Sequence, residues 1–208
     1  VGLVPFLMQD VQTRLGPIPI PPIPHLSPAN FPECNVRTYV KHRGRSGVWF
    51  FSLDAEPIAP VLVARALWKL NYCWSRFGVS RQGNAIDYAV RRRSGRAPWV
   101  RAVPPAHTAP RYSGPPAHMH ARWRVGASLG PAEPNSLEHF LVERYSLFTK
   151  RNGVVLDGRI AHDPWVIREA HDIQLDESLL AAAGIAVEGD PIAFASDGVV
   201  VRAAALAR

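Results

Sequence analysis

The stretch FPECNVRTYVKHRGRSGVWFFSLD, residues 31 to 54, sets Asn35, Arg37, Ser52 and Asp54 among aromatic and β-branched residues. An arginine in a partly apolar setting can hold a carboxylate or another planar anion through two parallel hydrogen bonds. An amide, a hydroxyl and a carboxylate beside it would supply further donors and acceptors. The stretch reads as two strands turning at Arg43-Gly44-Arg45-Ser46, with His42 opposite Gly47. Side chains alternate along a strand, so this register puts Val36, Thr38, Val40, Trp49, Phe51 and Leu53 on one largely apolar face. The other face then pairs Arg37 with Ser52, Asn35 with Asp54 and Tyr39 with Phe50. A large aromatic pair among these polar groups argues for a lumen rather than for water. The expectation is a pocket.

Other residue groups could also do chemistry. Glu143-Arg144-Tyr145 reads as strand, so either Glu143 or Arg144 points inwards and needs a partner. A structural ion pair is the simpler expectation and a ligand contact the alternative. His162-Asp163-Pro164-Trp165 reads as a turn in which Trp165 plugs one end of the fold, or in which His162 stands at a pocket rim. His118 and His120 share a strand face, as some metal ligands do. No third ligand follows by spacing, so no metal is expected. Cys34 would be a nucleophile only if His118 or His162 approached it, and a small buried thiol is the better reading. There is no Gly-x-Ser-x-Gly, phosphate-binding glycine loop or dinucleotide fingerprint, so no cofactor is expected.

The elements that must position these residues are mostly strands. After the opening hairpin, residues 57–70 carry a helical pattern with Pro57 suited to the first turn. Strands are expected at Tyr72–Val79, Ala85–Arg93 and His118–Val125. Asn135 or Ser136 caps a short helix. An Asn152-Gly153 turn precedes the strand VVLDGRIAH. A strand near Trp165–Leu175, a short helix near Glu177–Ala183 capped by Asp176, and a hairpin at Asp197-Gly198 close the chain. The segment Gly16–Pro32 holds seven prolines, which exclude helix and central strand and leave a stiff apolar crossing. The pattern predicts one α+β, mainly β domain over residues 1–208, a closed or partly closed barrel with a few short helices.

Bulk composition narrows the function classes. No apolar run reaches the ~20 residues of a membrane helix, and two cysteines cannot build a disulfide framework; a reduced, cytoplasmic protein is the default. The start, VGLVPFLMQD, lacks the basic and small-residue features of a signal peptide and reads as a strand entered midway, so a segment upstream of Val1 is expected. Net charge is +7, carried almost wholly by arginine, with one dense cluster at Arg91-Arg92-Arg93, Arg96 and Arg101. Clustered arginines can neutralise phosphates, but one short run reads better as a solvated strand end, which argues against a nucleic-acid partner.

FPECNVRTYV, GVWFFSLDA, LNYCW, SLEHFLVERYSLF and HDPW, in this order, resemble the YqjF-like family of uncharacterised bacterial proteins over nearly the whole chain. The resemblance places the chain with the acetoacetate decarboxylase-like superfamily and implies a cone-shaped β-barrel enclosing a pocket. In the decarboxylases a LDNEP stretch, an arginine and YPKK supply the Schiff-base lysine. Here the similar stretch is Leu53-Asp54-Ala55-Glu56-Pro57, then Arg65, then Tyr72-Cys73-Trp74-Ser75. Trp74 and Ser75 stand where the lysines would be, and neither can form an imine. Lys69, one residue after core-like Trp68, should point to solvent. Acetoacetate decarboxylase activity is therefore not expected. The resemblance also implies Glu33 as the counterpart of a catalytic glutamate.

The resulting expectation is a small-molecule ligand, a carboxylate or keto acid, held by Arg37 with Asn35, Ser52, Asp54, Tyr72, Trp74, Glu143, Arg144 and His162 around the pocket. The enzyme version is a lyase or hydratase using Glu33 as general acid and base without a Schiff base. A non-catalytic accessory protein and an arginine-mediated nucleic-acid binder are the other readings.

Overall fold

The computed structural model describes residues 1–15, 18–20, 29–56, 61, 64–93 and 114–207. Its strands are β1 (Gly2–Met8), β2 (Thr13–Leu15), β3 (Ile18–Ile20), β4 (Phe31–His42), β5 (Arg45–Ala55), β6 (Tyr72–Gln82), β7 (Ala85–Arg92) and β8 (His118–Pro131). A short helix, α1 (Leu137–Val142), leads to β9 (Ser146–Arg151), β10 (Val154–Ala161) and β11 (Val166–Glu177). Then come α2 (Leu179–Ala182), β12 (Phe194–Ser196) and β13 (Arg202–Ala207). The mainly β expectation holds. The helix expected over residues 57–70 is represented by a π-helical turn at Ala64–Trp68; residues 57–60 and 62–63 lie outside the described residues. So do residues 21–28 of the proline-rich crossing, while Ile18–Ile20 pairs with Thr13–Leu15 in a ribbon apart from the main sheet.

The hairpin of β4 and β5 corrects the sequence reading. Arg43 and Gly44 both have positive φ (49° and 79°), as a two-residue hairpin turn of the primed type demands. His42 therefore faces Arg45, and Arg37 faces Phe50. The register then shifts, and Val36 pairs with Ser52, Asn35 with Leu53 and Cys34 with Asp54. Phe51 is the extra residue of a β-bulge, which adds one residue to one strand and bends it. Ser52 and Asp54 thus lie on the face of Cys34 and Val36. Asn35 and Arg37 occupy the opposite face. The four polar residues do not share a face.

The main sheet runs β12-β11-β8-β7-β6-β5-β9-β10-β13, with β4 and then β1 branching from β5. It forks at β5, which pairs in parallel with β9 at Val48 and Trp49 and with β6 at Leu53, Asp54 and Ala55. Residues 69–71 close the notch between the arms. The Leu53 amide donates to the Asn71 carbonyl at 3.0 Å and Asn71 Nδ2 to the Phe51 carbonyl at 3.2 Å. Thr149 Oγ1 donates to the Lys69 carbonyl at 2.7 Å. Gly47 lets β9 approach, since a Cβ there would collide with the Ser146 carbonyl and come within 2.7 Å of the Phe148 ring. Gly47→Ala is accordingly expected to cost about 1–3 kcal/mol by overpacking, read as a lower urea midpoint.

Asp197-Gly198 is not a hairpin, which is a second correction. β12 pairs with β11 and β13 with β10, at opposite ends of the sheet. Residues 197–201 span at most about 20 Å when extended, so the two ends are drawn towards each other and the sheet must curl. The sheet is nonetheless not closed: the path starts at β12 and ends at β13. Asp176 stays within β11, and the α2 start is served instead by Glu177 Oε2, which accepts from the Leu180 amide at 2.9 Å.

One core cluster gathers Cys34, Val36, Tyr88, Val90, Met119, Ala121, Leu179 and Leu180, on the Ser52/Asp54 side of the hairpin. Two others, around Val48, Leu53, Leu70 and Leu147 and around Phe31, Ala55 and Val61, lie on the Asn35/Arg37 side. No helix among the described residues is long and apolar enough to cross a membrane.

Candidate functional site

Alternation along β4 places Glu33, Asn35, Arg37 and Tyr39 in a row on one face. Glu33 is buried, and Tyr72, which follows Asn71 into β6 beside Leu53, donates its hydroxyl to Glu33 Oε2 at 2.9 Å. The Tyr88 hydroxyl, from the other face, donates to the Glu33 carbonyl at 2.8 Å. Burial pushes the Glu33 carboxyl up to about 8, with the Tyr72 hydrogen bond opposing and the Asp54 charge adding to the rise. Near neutral pH this group holds its proton and can deliver it, which suits a general acid. Asn35 is also buried, and its Oδ1 meets no donor among the described residues.

Further along the row, two arginines share an aromatic floor. Ser136 Oγ accepts from the His139 amide at 3.1 Å and caps α1. This helix presents Phe140 to Tyr39, with ring centroids 4.9 Å apart. Arg37 donates to the Leu141 carbonyl at 3.1 Å, and its Cζ lies 5.7 Å from the Tyr39 centroid. Arg144 lies over both rings, its Cζ 4.3 Å from the Phe140 centroid and 5.6 Å from that of Tyr39. It also donates to the Glu143 carbonyl at 3.1 Å. Burial lowers the Arg144 pKa and the Arg37 charge adds to the fall, with Tyr39 and Glu143 opposing it. All 17 aspartates and glutamates of the sequence fall within the described residues, yet neither Arg37 nor Arg144 forms a salt bridge among them. The Nε of each is buried and without a hydrogen-bond partner among the described residues.

Ser52 and Asp54 are instead committed to a network on the opposite face. Arg92 grips Asp54 with Nε to Oδ1 at 2.8 Å and a terminal nitrogen to Oδ2 at 2.9 Å, and that nitrogen reaches Ser52 Oγ at 2.6 Å. Ser75 Oγ donates to Asp54 Oδ1 at 2.6 Å. Ser75 is thus fully buried in the network. Trp74 donates its indole N–H to the Glu56 carbonyl at 3.0 Å and carries the Arg93 guanidinium 4.4 Å over its ring. Arg65 Nε donates to the Tyr72 carbonyl at 2.7 Å.

Glu143 is buried, but its partners are not cationic, correcting the expected ion pair. It lies between α1 and β9 rather than within a strand, accepting from the Tyr145 hydroxyl and from the Trp165 amide, the latter at 2.8 Å. His162 stacks on Tyr145 at 4.5 Å and meets the edge of Trp165. His118 and His120 each take an aspartate, Asp176 at 3.3 Å and Asp87 at 3.0 Å. Cys34 lies 4.0 Å from the Met119 sulfur, fully buried, and burial raises its pKa. It is a core thiol.

Arg92 is the residue that sequence reading missed. By composition it reads with Arg91 and Arg93 as a solvated run, yet Tyr88, Val90 and Arg92 alternate on one strand face, and Tyr88 and Val90 are buried. That alternation was the available signal. Arg96 and Arg101 lie outside the described residues.

Residues 1–200 match DUF2071, an uncharacterized conserved protein family. The chain is 31% identical over 193 residues to the uncharacterized protein YqjF of Bacillus subtilis (strain 168), covering 92% of this chain and 69% of that protein. Among solved structures it is similar to acetoacetate decarboxylase from Legionella pneumophila subsp. pneumophila str. Philadelphia 1, with a TM-score of 0.43 at 10% identity, covering 71% of this chain and 53% of that one. It is also similar to the enduracididine biosynthesis enzyme MppR complexed with pyruvate, with a TM-score of 0.44 at 11% identity, covering 84% of this chain and 61% of that one. The chain thus spans less than two thirds of either structure's length.

Proposed function

The chain belongs to the DUF2071 family, and from that premise we propose that it binds a small carboxylate or keto acid at Arg37 and Arg144. The observation that carries this reading is the pair of guanidiniums on the Tyr39–Phe140 floor, neither in a salt bridge among the described residues, with the nearby Glu143 carboxylate engaged by Tyr145 and Trp165. Arginines brought together without a counter-ion repel each other, and an anion relieves that repulsion through charge-assisted hydrogen bonds. Ser52 and Asp54 are spent on Arg92, so the ligand set narrows to the Asn35 side of the hairpin, with Tyr72 towards Glu33. The Trp74 indole N–H is already engaged, Glu143 supports Trp165, and His162 stands beside Tyr145.

Thermal shift with pyruvate, acetoacetate and propionate tests the reading on the wild type and on Arg37→Ala. The wild type is expected to gain several degrees at ligand concentrations about a hundredfold above Kd, and Arg37→Ala to gain none. Equal shifts in both proteins, or none in either, would remove the reading.

A second reading is supported by Glu33. A protonated carboxyl held by Tyr72 on the same strand face as Arg37 can act as the acid and base of a lyase or hydratase. It needs no imine, and Trp74 and Ser75 provide no amine for one. Turnover lost in Glu33→Gln with ligand binding intact would support it; binding without turnover in the wild type would leave the accessory-protein role.

A further inference from the structure

Two cations on one aromatic floor ask for more negative charge than a single carboxylate carries. Resting on the anion-binding reading above, we infer that the Arg37/Arg144 site selects dianions, a dicarboxylate or a phosphate-bearing molecule, over monocarboxylates. Both guanidinium carbons lie within 5.7 Å of the Tyr39 centroid. Among the described residues each guanidinium has only backbone oxygens as hydrogen-bond acceptors, the Leu141 carbonyl for Arg37 and the Glu143 carbonyl for Arg144. A carbonyl oxygen satisfies a donor but cancels no charge. The nearest acid in sequence, Glu143, turns its oxygens to the Tyr145 hydroxyl and the Trp165 amide, so its charge acts on Arg144 only at a distance.

A monocarboxylate bound here leaves one positive charge uncompensated in a partly buried setting, whereas a dianion neutralises both. An additional charge-assisted hydrogen bond raises affinity about tenfold or more. The Tyr39 and Phe140 rings are covered by the guanidiniums, so the ligand is recognised through its charged groups. The ring faces also hold the guanidiniums in place by cation–π attraction, so little side-chain freedom is lost on binding.

Calorimetric titration of the wild-type chain with succinate, inorganic phosphate and propionate, at low and at physiological salt, decides the matter. Succinate or phosphate is expected to bind about tenfold or more tightly than propionate, with the advantage shrinking as salt rises. Arg144→Ala is expected to bring dianion and monoanion affinities within about twofold of each other, because one cation then remains. Equal affinities in the wild type would overturn dianion selectivity while leaving the anion site standing. Binding of none of the three would overturn both. The wild-type comparison stands by itself even if Arg144→Ala fails to fold, and tight succinate with weak phosphate would assign the site to dicarboxylates.

Discussion

Asp54→Ala is expected to lower folding stability by about 3–5 kcal/mol, because breaking a buried pair leaves the other charge uncompensated. Asp54 is fully inaccessible and Arg92 largely so, with side-chain exposures of 0% and 17%. The carboxylate takes two hydrogen bonds from Arg92 and one from Ser75, while Ser52 takes a third from the guanidinium. Without Asp54, the Arg92 guanidinium keeps only the Ser52 hydroxyl from this set and is held between strands with its charge unmatched. Asp54→Asn retains an oxygen acceptor but no charge and should fall between wild type and alanine. The double change Asp54→Ala with Arg92→Met should cost less than the sum of its single changes, since it removes the charge as well as its partner. Urea denaturation of the four proteins measures this directly. If Asp54 served a ligand instead, Asp54→Ala would leave the urea midpoint nearly unmoved and weaken carboxylate binding.

Glu33 makes the second large prediction, in the pH dependence of stability. Its carboxyl sits near 8 in the folded protein against an ordinary value of 4.5, with burial as the main cause. Between those values the unfolded chain has released this proton while the folded chain still holds it. Stability from this group is therefore fully present below pH 4.5, declines as pH rises through the window, and levels off above about 8. At 1.36 kcal/mol per pKa unit the decline amounts to a few kcal/mol. Glu33→Gln carries no titrating proton, and its side-chain oxygen can still accept from Tyr72. Its stability is expected to match that of the wild type near pH 4.5 and to exceed it near pH 8. Thermal melts of both proteins across this range check the sign. Parallel curves would mean that Glu33 ionises in the folded protein as it does in the unfolded chain. The same substitution probes the lyase reading, because a proton-donating Glu33 loses its function as pH passes 8 and has none as glutamine.

These two predictions mark where sequence reading succeeded and where it failed. Strand periodicity located β4 to β7, β10 and β11 to within a few residues, whereas β8 runs past the expected end at Val125 to Pro131 and the strand expected at Glu143-Arg144-Tyr145 begins only at Ser146. Arg37 and Arg144 were both legible as candidate anion contacts from residue type alone. Their meeting over Tyr39 was not, since it depends on α1 carrying Phe140 to β4 from about a hundred residues away. Glu143 was legible as an inward charge, but its neutral partners were not.

The amino-acid sequence by itself determined that this chain is strand-rich, that it belongs with the YqjF-like proteins, and that Trp74 and Ser75 provide no imine-forming amine. Those properties reside in local alternation, in ordered motifs and in residue identity. Only the tertiary structure decided which polar residues act together. A two-residue turn and one bulge at Phe51 move Ser52 and Asp54 across the sheet, because a single-residue change of register inverts every side chain beyond it. They thereby join Arg92 in the core and leave Arg37 to Arg144. No local pattern could report that exchange, since turn length and bulge are settled by the strands packed around the hairpin.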